Sequence, residues 1–173
     1  MKTPVKQALV KQKSPMNENY SLHLDLQQIV TSDTLPNKAA IESWIKTALL
    51  EESQNTLHGE YELTVRIVDK DEIQTLNKTY RHQDKPTNIL SFPFEAPPQI
   101  QLPLLGDLVI CHDVVVDEAH QQQKTIAQHW AHIVIHGVLH LKGYDHINDS
   151  DAEIMEALEI QILDKLNICN PYQ

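Results

Sequence analysis

Cysteine is scarce in this chain, with two in 173 residues, Cys111 and Cys169. Two isolated thiols exclude a disulfide framework and a CxxC pair, and they point to a reducing compartment. Any metal must then be held by histidine and carboxylate. Positive charge is also in short supply. Lys and Arg number 14 against 24 Asp and Glu, a formal net charge of -10. That balance argues against a general nucleic-acid-binding surface, which is usually basic, but not against a local basic groove, because phosphate contacts are made locally. No apolar run approaches membrane-spanning length, and there is neither an internal repeat nor a second composition regime. The hydrophobic share of 41% is a little low for a globular chain, yet its patterned runs are ample for one core. At this length one well-cored domain is expected and two are not. The first 19 residues carry Lys2, Lys6, Lys11 and Lys13 without a continuous apolar run, which is not the pattern of a signal peptide. The expectation is a flexible, solubilising tail over 1–19, one domain over 20–173, and a soluble cytoplasmic protein.

What is present is patterned. Tyr20 to Gln27 alternates between apolar and polar residues, the mark of a half-buried strand with Tyr20, Leu22, Leu24 and Leu26 facing the core. Beyond Pro36, Ile41, Trp44, Ile45, Ala48 and Leu49 fall at the spacing of an amphipathic helix. Tyr61 to Ile67 alternates again. Asp69 with Glu72 has the shape of a capping box opening a helix with Ile73, Leu76 and Tyr80 on one side. A polar loop from Tyr80 to Thr87 leads to an apolar strand, Asn88 to Phe92, which Pro93 confines to an edge or an ending. The proline-rich run Ala96 to Pro103 reads as a loop. Leu105-Gly106-Asp107 opens a fourth strand, Leu108 to Cys111, and a helix is predicted across Val114 to Gln122. Ser150 with Glu153 suggests a capping box for a last helix striped by Met155, Leu158, Ile162 and Leu166. Together these elements predict an α+β (mixed α/β) domain of about four strands and about five helices.

The densest signal is His136-Gly137-Val138-Leu139-His140-Leu141-Lys142-Gly143-Tyr144-Asp145-His146. From about Thr125 the chain reads as a strongly apolar helix, and residues four apart on a helix lie one above the other. His136 and His140 therefore share a face. Gly143 stands where the helix should stop, and glycine readily takes the left-handed conformation that reverses a chain. The reversal brings His146 back toward the other two. Three neutral imidazoles with an open fourth position are the ligand count of a catalytic zinc site, whereas a structural site usually closes with four protein ligands. His132 and His129 extend the stripe along the helix. His132 could be a ligand, but a buried, hydrogen-bonded histidine is the preferred reading, because His146 completes the set better. Asp145 has two readings left open: a partner or base for the site, or a turn aspartate bonding its own backbone. Tyr144 and Trp130 read as packing residues.

This segment resembles the signature HGxLHLxGYDH of the YbeY family of bacterial endoribonucleases. Two further blocks agree in order. Leu76-Asn77-Lys78-Thr79-Tyr80-Arg81 with Asp84 to Pro93 is similar to the family's LNxxYRxxDxPTDVLSFP, and Leu105 to Ile110 is similar to LGDIxI. Asn88 departs from the aspartate the family often has. The resemblance spans roughly Tyr20 to Leu166. It implies one divalent metal, usually zinc, on His136, His140 and His146, with Arg81 in the active cleft. It further implies single-stranded RNA as substrate, a role at the 3′ end of the small subunit's 16S ribosomal RNA and in ribosome quality control, and the small ribosomal subunit with its associated proteins as partners. No membrane and no DNA enter that picture. A phosphodiester transition state gathers negative charge, and a guanidinium meets two oxygens at once, which suits Arg81 in a polar loop. The plain alternative for Arg81 is an ion pair with Asp84. Lys85 could hold phosphate or simply be solvated.

Two rivals remain in view. A metzincin metalloprotease shares the His-x3-His-x5-His spacing and the glycine, but needs Glu directly after the first histidine as its base; here that position is Gly137. A ribosome-associated binding module, not an enzyme, could use a metal only to pin the turn.

Overall fold

A computed structural model describes residues 20–97, 99 and 102–172. The predicted basic tail, and Pro98, Ile100 and Gln101 of the proline-rich loop, lie outside the described residues. Four strands and five helices follow in the order β1 (Tyr20–Gln28), α1 (Lys38–Glu52), β2 (Gly59–Val68), α2 (Lys70–Arg81), β3 (Ile89–Pro93), β4 (Leu104–Cys111), α3 (His112–Gln121), α4 (Ile126–Leu141) and α5 (Asp149–Lys165). The strands form one sheet in the order β1-β2-β4-β3. β1 and β4 run parallel to β2, and β3 runs antiparallel to β4. This is the mixed α+β architecture expected from the pattern.

The period of two in the strands divides the apolar residues between two faces. Leu63, Val65, Ile67, Leu108, Ile110 and Ile89 face the main core, where α1, α4 and α5 bring Ile41, Ile45, Leu49, Val134, Val138, Met155 and Ile162. Val68, Leu90, Val109 and Cys111 face the other way, under Ile73 of α2. The central strand β4 is therefore buried on both faces toward its end, and its sequence there is a continuous apolar run. β3 lies at the sheet edge and stops at Pro93, as the proline predicted.

Two glycines set close approaches. At Gly106 φ is 135°, and a Cβ would sit 2.1 Å from the Phe92 carbonyl oxygen. The β2–β4 register shifts at that point, Leu63 pairing with Gly106 where Glu62 pairs with Leu104. The Leu-Gly-Asp block is thus a bulge that lets β3 and β4 close up. Gly137 does the same for α4: a Cβ there would meet Ile89 Cδ1 at 2.6 Å and Leu108 Cδ2 at 2.9 Å. The histidine helix rests its missing side chain directly on β3 and β4.

Several local expectations need correction. Asp69 caps α2 by accepting the Glu72 amide at 2.9 Å, but the Glu72 carboxylate turns to the Arg66 Nε at 2.7 Å, so only half of the capping box forms. Tyr80 is exposed, stacking edge-on to Phe92. α2 continues through Arg81, which therefore ends a helix and does not lie in the loop. α5 is capped by Asn148, whose side chain accepts the Asp151 amide at 2.9 Å, and Ser150 lies inside the helix.

Candidate metal centre

α4 opens on a capping box formed by Thr125 and Gln128 and buries most of its circumference, from His129 and Trp130 through Leu141. His136 and His140 occupy the half-exposed stripe that remains, one turn apart. At the end of the helix Gly143 takes φ 92°. Its amide bonds the His140 carbonyl at 3.0 Å, and the Tyr144 amide bonds the Leu139 carbonyl at 3.0 Å. These paired bonds are the Schellman turn that glycine makes easy. The turn carries His146 back beside the helix, and one ligand nitrogen from each of His136, His140 and His146 lies within 4.8 Å of the others. The three-histidine cluster can hold a metal ion.

The histidines are fixed from behind. His140 Nδ1 donates to the Tyr144 carbonyl at 2.9 Å, which can only accept, so its Nε2 carries the lone pair. His136 Nδ1 lies 2.6 Å from Glu159 Oε1, and an ionised carboxylate likewise leaves Nε2 free on that ring. The two Nε2 atoms are 3.0 Å apart. Facing lone pairs at that distance are reconciled by a shared proton or by a metal cation between them. Tetrahedral zinc with ligand bonds near 2.0–2.1 Å would separate them by roughly 3.3 Å. The ring of His146 is exposed and lies against both, 5.6 Å from His136 and 5.0 Å from His140 between centroids. Burial, with the charges of His136 and His146, lowers the pKa of His140 below its ordinary value, which keeps it neutral and able to bind.

Glu159 was not anticipated. It is fully buried on α5. Burial alone would raise its pKa, but the neighbouring His132 and His136 outweigh that and hold it down to about 2. Its second oxygen accepts the hydroxyl of Tyr172 and lies 3.6 Å from His132 Nε2. Burial and the Glu159 carboxylate raise the pKa of Tyr172, so the phenol stays protonated and donates. The sequence did hold a signal for Glu159. It stands four residues after Met155 and three before Ile162, a carboxylate on the apolar stripe.

The cluster opens into a cleft of about 610 Å³ whose wall includes Arg81, Asn88, Ser91, Asp145 and the three histidines. Asp84, the alternative partner for Arg81, is taken instead by Lys78 Nζ at 2.7 Å and Gln74 Nε2 at 3.0 Å. Arg81 is exposed, and among the described residues no ion pair engages it. Lys85 is exposed outside the cleft wall; its carbonyl is held by Asn77 Nδ2 at 2.8 Å. Asp145 accepts the His146 amide at 2.7 Å, the turn bond that was one of its two readings. His132 stands apart from the cluster of ligand atoms, mostly hidden beside Glu159. His129 is buried against Glu118 at 2.7 Å. Asn88 forks its amide onto both Glu118 oxygens, at 3.2 and 3.1 Å. An aspartate at 88 would face a second carboxylate there, so the amide suits this chain's surroundings.

Comparison with known proteins agrees with this geometry. A family model described as endoribonuclease YbeY matches residues 27–167. Among solved structures, the solution structure of TM1509 from Thermotoga maritima superposes with a TM-score of 0.53 at 24% identity, covering 85% of this chain and 92% of that one. The second likeness shows a shared fold.

Proposed function

The chain belongs to the YbeY endoribonuclease family, and on that premise we propose that it is a metal-dependent endoribonuclease that cuts single-stranded RNA during ribosomal RNA maturation. The observation that carries this reading is the joint placement, in one cleft, of three convergent imidazoles and an arginine that no ion pair engages among the described residues. His136, His140 and His146 are the proposed ligands of one ion, zinc by the donor set and the open position. Held by three neutral ligands, a divalent ion would keep its full double charge and would supply polarisation of a phosphoryl oxygen and acidification of a water. Arg81 contributes a planar fork of donors to the oxygens of the scissile phosphate, where charge grows in the transition state. Glu159 and the Tyr144 carbonyl hold the imidazoles in the tautomer that presents Nε2 to the cleft. In the cell the reading places the protein in the cytoplasm, acting at the 3′ end of small-subunit ribosomal RNA and in ribosome quality control.

Nothing in the cleft favours the protease. Position 137, where that mechanism needs its glutamate, faces Ile89 and Leu108 and not the cluster. The test is a substrate panel of labelled single-stranded RNA, the same RNA as duplex, and casein, each with metal-loaded and chelator-treated protein. Cleavage of the single strand alone, abolished by chelation and restored by zinc, is expected. No cleavage of any RNA would turn the reading toward a binding module, and casein cleavage would revive the protease.

A further inference from the structure

Pro171 and Tyr172 approach the three-histidine cluster from behind. The family match ends at residue 167, yet Tyr172, five positions on, places its hydroxyl on Glu159, the carboxylate that holds His136. Several contacts fix it there. The Tyr172 ring packs edge-on against His132 at 5.6 Å and 84°, and Lys124 Nζ clasps the Pro171 carbonyl at 2.6 Å. Asn170 Oδ1 takes the Tyr172 amide at 2.9 Å. Tyr172 is 46% exposed as a residue, while its hydroxyl oxygen sits on a fully buried carboxylate.

We propose that Tyr172 is a positioning residue of the metal centre: its hydroxyl occupies the second oxygen of Glu159 and so keeps the first oxygen aligned on His136 Nδ1. The physical case is one of satisfaction. A buried carboxylate needs a donor on each oxygen, and losing one leaves a desolvated lone pair that the group can satisfy only by rotating. Rotation of Glu159 would trade its bond to His136 for a closer one to His132, whose Nε2 lies 3.6 Å away. His136 would then lose the partner that orients its ring. The C-terminal segment thereby acts on metal affinity through two intervening groups, Glu159 and His136, without touching substrate.

The proposal rests on the metal-site reading above, and the experiment separates the two. Zinc affinity is measured by competition with a chromogenic chelator for wild type, Tyr172→Phe, Glu159→Gln and the double variant, all full length. The visible spectrum of each cobalt-substituted protein and the melting temperature of each metal-free form are recorded beside it. Replacing a partner behind a ligand commonly costs 10–100-fold in affinity, so Glu159→Gln should lie in that range and Tyr172→Phe at about a few-fold to tenfold. Tyr172→Phe retains the ring on His132, so its metal-free form should still fold, melting no more than roughly 10 °C below wild type, while its cobalt spectrum shifts. The double variant should bind no more weakly than Glu159→Gln alone, because Tyr172 acts through Glu159. Wild-type affinity and spectrum in Tyr172→Phe would overturn the proposal, and so would fully additive losses in the double variant. Failure of the wild type itself to bind zinc would overturn the metal-site reading, and this inference with it.

Discussion

Position 137 shows how much one absent side chain decides. Alanine in a helix interior gains about 1 kcal/mol over glycine, but here its Cβ would press on Ile89 Cδ1 and Leu108 Cδ2 at 2.6 and 2.9 Å. Overpacking a core costs about 1–3 kcal/mol, so the clash wins. Gly137→Ala is expected to lose about 1 kcal/mol net in urea denaturation, while an unchanged or raised stability would show that the helix can move off the sheet at no cost. At this scale the convergence of the three histidines was legible because helical spacing and a helix-ending glycine are local information. Glu159 was harder to see, since its partner His136 lies 23 residues away on another helix. The Arg81–Asp84 alternative failed for a local reason: Lys78, one helical turn before Arg81, reaches Asp84 first.

Among the elements, type was easier to read than boundary. Every strand and helix expected from apolar periodicity is present, because a buried face imposes its period on the sequence. Ends depend on a single capping bond, and several residues compete for it. At α5, Ser150 and Glu153 carry the pattern of a capping box, but Asn148 two residues earlier makes the bond to the Asp151 amide. Loss of such a cap costs about 1 kcal/mol. Asn148→Ala should therefore destabilise the protein by about that amount, and Ser150→Ala should leave it within about 0.5 kcal/mol of wild type. The reverse order, read by thermal or urea unfolding, would restore Ser150 as the cap. The position of Arg81 at a helix end, and not in the loop, bears on the role proposed for it. Its backbone is held by the last turn of α2, so the guanidinium is presented from a fixed base.

For the molecule as a whole, sheet order was the part that sequence withheld. Strand periodicity says which face is buried but not which strand lies beside which, and β4 between β2 and β3 follows from contacts distant in the chain. That order sets the edge strand β3 beside the histidine turn and makes one cleft from two separated motifs, the block ending at Pro93 and the histidine segment. The same long-range packing governs the response to acid. Glu159 titrates in the fold at about 2 against an ordinary 4.5, and a carboxylate so depressed contributes stability that is complete above pH 4.5 and lost as pH falls through 2. His140 is likewise depressed below 6.5, so its contribution is full above pH 6.5 and is lost as pH falls through its folded value. The metal-free protein is expected to lose stability on acidification below pH 6.5, with a further loss between pH 4.5 and 2 that Glu159→Gln lacks. Urea midpoints taken across this range check it, and identical low-pH losses in both proteins would remove Glu159 from the account. Metal removal at neutral pH should leave the fold standing, since α4 is held by the buried side chains of Ile133, Val134, Ile135, Val138 and Leu139, each contributing about 1.5–3 kcal/mol.

The most direct test of the central claim is to measure zinc content and single-stranded RNA cleavage on the same preparations of wild type, His140→Ala and Arg81→Ala. Wild type should carry one zinc and cut; His140→Ala should lose both metal and activity; Arg81→Ala should keep its zinc while cleavage falls by about a hundredfold or more, the scale for removing a donor to a developing oxyanion. Equal cleavage by all three, with zinc absent from His140→Ala, would contradict the account, because the activity would then belong neither to the metal nor to the cleft.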